Sequence, residues 1–238
     1  YAQTGSFGKH EGTYRFERGN TSLSMEKNYE TDVELSYHGT SISLVLSAYY
    51  NKVNDYIYIS NTGDSIQRIR PVGTDTLPVY AYMQNNATLQ GGEFMLLLHP
   101  KNLKWIDFRV SYAMTQGTLD KGGYLPWIPA GKMVGELQLK KDSLWIFKNA
   151  GFGMVLSNYF EQSRVAEYES KGEGYHLVDL FVGGEIRIGK QLASLRLYCT
   201  NLFDTAYFNQ LSLVKNIGVR EMGRNIGIQA CIPFGNHQ

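Results

Sequence analysis

No stretch of this 238-residue chain approaches the roughly 18 consecutive apolar residues that a membrane-crossing helix needs. The start, Tyr1-Ala2-Gln3-Thr4-Gly5, has no basic region followed by an apolar one, so it does not read as a signal peptide. The chain is expected to be a mature protein or a fragment. Charge is also scarce. Asp, Glu, Lys and Arg make up 19% of residues, against about 25% in soluble domains. A net charge of +1 provides no field to gather nucleic acid by electrostatics alone. Two cysteines cannot build a disulfide framework. Six prolines and 43% hydrophobic content argue against a disordered chain.

What the sequence does have is alternation. Ile226, Ile228, Ala230, Ile232 and Phe234 share one face, and Asn225, Gly227, Gln229 and Cys231 share the other. The same period of two runs through Val178, Leu180, Val182, Ile186 and Ile188, through Ile106, Phe108, Val110, Tyr112 and Met114, and through Ile42, Leu44, Leu46, Ala48 and Tyr50. Such alternation marks strands with one apolar and one polar face. About ten strands are expected, at 28–38, 41–59, 79–98, 104–118, 130–141, 145–167, 174–189, 193–208 and 222–234, with an incomplete one near 1–8. No helix of consequence is expected.

Short connections (38–40, 99–103, 141–144, 190–193) take turns with long ones (8–27, 60–79, 117–129, 169–174, 209–221). A meander with short turns at one end and long loops at the other is the layout of an outer-membrane barrel. Aromatics cluster near the long loops: Tyr49, Tyr50, Tyr56, Tyr58, Tyr80, Tyr82, Tyr159, Phe160, Tyr207 and Phe208. That placement fits an interfacial girdle. The polar faces carry Glu30, Asp32, Glu34, Glu136, Lys140, Asp179, Glu185 and Arg187. In a dry interior unpaired charges cost several kcal/mol each, whereas a wide wet lumen removes that cost. The expected fold is therefore all-β, an antiparallel up-and-down transmembrane barrel, with outer-membrane lipid against its apolar face. A soluble all-β binding protein would need a second layer to cover that face, and no helix supplies one.

Three stretches resemble the C-terminal part of TonB-dependent outer-membrane receptors. They are His10-Glu11-Gly12-Thr13-Tyr14-Arg15-Phe16-Glu17-Arg18-Gly19-Asn20 with Leu23 and Glu26, Asn201-Leu202-Phe203-Asp204-Thr205-Ala206-Tyr207, and Met222-Gly223-Arg224-Asn225-Ile226-Gly227 running to Phe234. Leu125-Pro126-Trp127-Ile128-Pro129 and Gln162-Ser163-Arg164-Val165-Ala166-Glu167 fit as well. The departures are Thr21 and Met25, where the family usually has Pro, and the tail 235–238 beyond the usual terminal aromatic. The resemblance implies a 22-stranded, plugged barrel, of which 1–238 would be the C-terminal half. It further implies a plug domain and a TonB-binding segment upstream of Tyr1, and import of a scarce nutrient: zinc, siderophore-bound iron or haem. The zinc-receptor branch is the one it leans toward.

Imidazole and carboxylate suit zinc. The resemblance assigns a metal-binding role to His10, which sits beside Glu11 on the long-loop side. His38 and His99 fall in short turns and His237 in the tail, all read as solvated surface, and His176 reads as a girdle residue. Arg224 and Asn225 read as packing of the closing strand, and Asn201 and Asp204 as capping and turn residues. Cys199 and Cys231 fall on opposite faces, so no disulfide is expected. There is no Gly-x-Ser-x-Gly, His-Glu-x-x-His or Cys-x-x-Cys, so no enzyme activity and no resident cofactor are expected. The competing reading is a self-contained ten-stranded barrel acting as an adhesin or hydrolase.

Overall fold

The computed structural model describes residues 2–10, 13–69, 71, 73–189 and 191–233. One sheet dominates. Its strands are β1 (Phe7–His10), β2 (Arg15–Arg18), β3 (Lys27–His38), β4 (Ile42–Ile69), β5 (Thr74–Leu98), β6 (Ile106–Leu119), β7 (Lys132–Leu144), β8 (Phe147–Tyr159), β9 (Tyr175–Ile188), β10 (Gln191–Thr200) and β11 (Asn225–Cys231). From β3 to β11 each strand pairs antiparallel with its successor. Among the described residues β3 and β11 do not pair with each other, so the sheet is an open barrel wall. A self-contained closed barrel is not what these residues form.

Cross-strand partners lie on the same face, so the registers sort side chains without ambiguity. One row runs Ile42, Leu98, Phe108, Leu137, Met154, Leu180, Cys199, Ile226. The adjacent row, on the other face, runs Ser43, Leu97, Arg109, Glu136, Val155, Asp179. The apolar rows are not buried against one another. In mid-sheet Leu156 is 47% exposed, Val182 50% and Leu197 45%. A sheet face that apolar and that uncovered has lipid as its physical partner.

The polar face satisfies itself laterally. Arg109 reaches Glu136 at 3.2 Å, Lys140 pairs with Asp107, and Arg196 lies 4.2 Å above the ring of Phe181. Glycines on this face receive aromatic neighbours. A Cβ at Gly153 would overlap the Phe181 ring, and one at Gly91 would meet Tyr49 and the Met114 carbonyl. Tyr49 then donates to Thr115 Oγ1 at 2.8 Å. Cys199 and Cys231 point to opposite faces, because Cys199 pairs with Ile226 and Cys231 with Ser194. Both are free.

Four expectations need correction. The segment 60–79, read as a loop, is mostly strand: β4 has 28 residues and β5 has 25, far more than the 9–11 that cross a bilayer. Register shifts between Val53 and Tyr56 and between Asn61 and Ser65, with Asp55 and Gly63 at positive φ, let loop-like residues sit inside a continuous ladder. The strand expected over 193–208 stops at Thr200, where Asn201 turns left-handed at φ 49°. The strand expected over 145–167 stops at Tyr159. The region 1–27 holds a one-turn helix, α1 (Ala2–Gly5), and the β1–β2 hairpin, whose β2 pairs parallel with β5 at Phe16–Val79 and Arg18–Ala81. There it occupies the β5 edge that β6, whose pairing ends at Ala87–Leu119, leaves free.

The aromatic ring on the long-loop side also divides. Tyr50 and Phe160 are exposed, and Tyr50 keeps the apolar-face register. Tyr49 and Tyr159 turn to the polar face, and Tyr80 is only 6% exposed, inside packed loops. At the opposite, short-turn end stand Trp105 and Trp145, the latter 92% exposed, as suits the second interface.

Candidate functional site

The most deeply buried side chains lie at the long-loop end of the sheet, on β5 and in the loop that folds back onto β6. Leu77, Val79 and Leu125 are the largest fully buried side chains. Leu125 folds back on β6 through its N–H to the Gly117 carbonyl at 3.0 Å.

Glu169 ties three loops together. Its carboxylate accepts the backbone N–H of Trp127 at 3.3 Å, the backbone N–H of Ala166 at 3.3 Å and Nε2 of Gln210 at 3.0 Å. Lys215 Nζ lies 3.8 Å from the same carboxylate, and both side chains are under a tenth exposed. Lys215 also donates to the Gln210 carbonyl at 2.9 Å and sits 5.7 Å from the centre of the Trp127 ring. Gln162 donates to the carbonyls of Ile128 at 3.2 Å and Pro129 at 3.0 Å. Loops 120–131, 160–174 and 201–224 therefore form one cap. Residues this far apart carry no joint signal in sequence, and the reading of the sequence missed Glu169, Gln210 and Lys215.

Burial holds the Lys215 ammonium below its ordinary pKa of 10.5, against the opposing pull of Glu169. The folded cap therefore releases this proton at lower pH than the unfolded chain does. Between the depressed value and 10.5 the unfolded state binds more protons, so stability rises with pH across that window. Thermal unfolding of the cap in the full-length receptor, followed by protease cleavage within loops 120–131, 160–174 and 201–224, is expected to shift upward toward pH 10.5. Lys215→Met is expected to flatten that slope.

Asn201 is a second fastening. It is 4% exposed. Its Nδ2 donates to the Thr205 carbonyl at 2.9 Å and the Met222 carbonyl at 3.4 Å, and its Oδ1 accepts from the Thr205 N–H at 2.8 Å. Asp204 then accepts the Arg224 N–H at 2.8 Å. These contacts bind the end of β10 to the start of β11 and confirm the capping reading. Asn201→Ala strands buried backbone groups. It is expected to cost about 1–3 kcal/mol, measured as a lower denaturant midpoint for the complete barrel.

On the polar face, Tyr159, Tyr175 and Tyr207 stack at 4.4 and 4.3 Å between ring centres, with Lys132 4.8 Å over the Tyr159 ring. Cavities of about 340 and 230 Å3 flank this ladder and share Gly172, Glu173, Tyr175 and Gln210. They are recesses of a size for small ligands.

The histidines are scattered. His10 ends β1 at the long-loop side, exposed, its Nδ1 3.0 Å from Thr13 Oγ1. Its neighbour Glu11 lies outside the described residues, as does His237. His38 is exposed at the end of β3. His99 departs from its surface reading: it is half-buried, with Nδ1 buried and unpartnered among the described residues. His176 takes the apolar-face register through Asn158 and Met133 and contacts Asn158 Oδ1 at 2.9 Å. Among the described residues no three His, Cys, Asp or Glu side chains gather to hold a metal ion.

An open antiparallel wall, apolar on one side and polar on the other, with packed loops at one end, is now in place. The family described as TonB dependent receptor-like, beta-barrel matches residues 1–202. This chain belongs to that family. Its place is the outer membrane. Solved structures share the fold. The receptor chain aligns with the copper transporter OprC at 20% identity and a TM-score of 0.68, over 88% of this chain and 31% of that one. It aligns with the siderophore receptor PirA from Acinetobacter baumannii at 16% identity and 0.59, over 90% and 32%. It aligns with the FrpB iron transporter from Neisseria meningitidis at 10% identity and 0.62, over 88% and 30%. The receptor chain thus spans about a third of the length of the proteins it matches.

Proposed function

We propose that this chain is the C-terminal part of a receptor that binds a metal ion or metal chelate at the cell surface and imports it through the barrel. The observation that carries the reading is the pair of sheet faces set by register: apolar rows uncovered, polar rows laterally paired. A polar wall that satisfies its own charges tolerates a wet interior through which a polar cargo can pass. Three structural neighbours, a copper transporter, a siderophore receptor and an iron transporter, support the cargo class. The proposed partners are a plug domain inside the barrel, TonB engaged through an N-terminal segment, the transported ligand, and outer-membrane lipid. The chain's own work is wall, loops and part of the ligand pocket, with no bond-making chemistry.

Within that reading His10 is proposed as one metal ligand, with the remaining ligands from elsewhere in the receptor. Zinc suits an imidazole at the extracellular mouth. Growth of a deletion strain in metal-limited medium is the test of the transport proposal: zinc, copper salts or ferric chelates should each restore growth only where the receptor is their route. Equal growth with and without the gene on every supplement would refute metal import. His10→Ala is expected to weaken zinc binding to the full-length receptor by about tenfold or more, read by calorimetry. Unchanged affinity removes His10 from the site.

A further inference from the structure

A thin partition divides the two recesses beside the tyrosine ladder. Gly172, Glu173, Tyr175 and Gln210 line both of them. Gln210 is 5% exposed. Its Nε2 donates to Glu169 at 3.0 Å and to the Ser170 carbonyl at 3.3 Å, and those two acceptors fix which way the carboxamide faces. Oε1 is therefore turned to Gly172, where a Cβ would stand 2.3 Å from it. Buried there, Oε1 has no donor among the described residues. An acceptor taken out of water and left without a donor is a costly arrangement, and this one stands in the wall that the recesses share.

The recesses differ in chemistry. The larger, of about 340 Å3, has Lys171, Lys215 and Arg220 against Glu173 as its charged lining. Lys215 is buried and shares its charge with Glu169 behind it, while Lys171 and Arg220 stand exposed at the rim. The smaller, of about 230 Å3, is bounded by Pro129, Ala130, Tyr159 and Leu211, and its Lys132 is engaged over the Tyr159 ring. Joined, the two fall inside the roughly 300–1,000 Å3 of ligand pockets. Such a pocket has an excess of cations at one end, an apolar end opposite and an unmet acceptor between them.

We propose that the two recesses are halves of one ligand subsite, joined when the Gln210 carboxamide swings off Gly172, and that the subsite takes a carboxylate linked through an N–H donor to an apolar body. The carboxylate lies by Arg220 and Lys171, the N–H meets Oε1 of Gln210, and the apolar body enters the recess of Tyr159 and Leu211. A donor for Oε1 exists only when the ligand is in place, so the ligand has the differential affinity needed to hold the partition open. Tyr159 and Tyr175 stand on the polar side of the wall; the inference therefore rests on the import reading and names the outer chemistry of the cargo.

Calorimetry on the full-length receptor with N-benzoylglycine and with benzoylpropionate, which carries a methylene in place of the N–H, tests the proposal. N-benzoylglycine is expected to bind about fivefold more tightly, the scale of one hydrogen bond to a buried acceptor. Gln210→Met, which keeps the length and lacks the acceptor, should bring the two affinities together. Arg220→Gln should weaken both acids and preserve their ratio. Gly172→Ala puts a Cβ against Oε1, keeps the partition from closing and should tighten both. Equal affinity in the wild type, no binding of either acid in the millimolar range, or a preference that survives Gln210→Met overturns the proposal. If Gln210→Met abolishes binding altogether, Gly172→Ala decides: weaker binding there shows that the closed partition is itself needed and overturns the proposal. The readout is binding alone, so its failure leaves import to the growth test, and a growth test that refutes import leaves these affinities as they are.

Discussion

Glu169→Ala is expected to loosen the extracellular cap while leaving the barrel wall intact. The substitution leaves Lys215 buried without its carboxylate and removes the acceptor shared by Trp127, Ala166 and Gln210. Breaking a buried pair from one side costs about 3–5 kcal/mol. The cost falls on loops 120–131, 160–174 and 201–224, because the sheet's own ladders do not depend on this carboxylate. Limited proteolysis of the full-length receptor should show faster cleavage in those loops, and hydrogen exchange should show unchanged protection in β6 to β9. Glu169→Leu combined with Lys215→Met removes both charges and keeps bulk. Buried pairs replaced in this way are often neutral or better, so the double variant should regain most of the protection. If the single variant left all three loops as protected as before, Glu169 would not be their joint fastening.

The second large effect is expected on the lipid face. Val182 stands in the middle of the apolar alternation of β9, opposite Leu197 and Phe152, and is half exposed. Val182→Arg places a guanidinium in hydrocarbon and should cost about 2–4 kcal/mol in folding into lipid vesicles. Ser194→Arg is the control. It stands on the polar face directly opposite Glu185, where an added cation meets water and an acid, and it should fold nearly as well as wild type. Equal penalties at the two positions would mean that the faces are wrongly assigned.

The sheet was legible because strand alternation needs only neighbours in sequence. Every face assigned from the pattern at 42–50, 106–114, 178–188 and 225–231 has the same face in the registers of β4, β6, β9 and β11; Ile232 follows β11, and Phe234 lies outside the described residues. The errors lie where local punctuation and tertiary context disagree. Asn61-Thr62-Gly63-Asp64 reads as a loop, yet a register shift absorbs it into β4. Tyr207 reads as strand, yet the left-handed Asn201 ends β10 before it, and the ring stacks on Tyr175 from a loop instead. The cap was not legible at all. Glu169, Gln210 and Lys215 acquire meaning only when three loops converge, and nothing in the spacing of one glutamate, one glutamine and one lysine announces that. Asn201 was recognised as a turn residue through its motif, and its three side-chain hydrogen bonds explain why that residue type is needed there.

The most direct measurement is a spin-label scan along β9 of the full-length receptor in lipid bilayers, with Cys199 and Cys231 first replaced by serine. Labels at 178, 180, 182 and 186 should collide with dissolved oxygen and be shielded from a water-soluble nickel chelate. Labels at 177, 179, 181, 183 and 185 should show the reverse, giving a clean period of two. A flat profile, or one in which Val178, Leu180 and Val182 are shielded from both reagents, would mean that the apolar rows meet protein rather than lipid and would contradict the receptor wall described here.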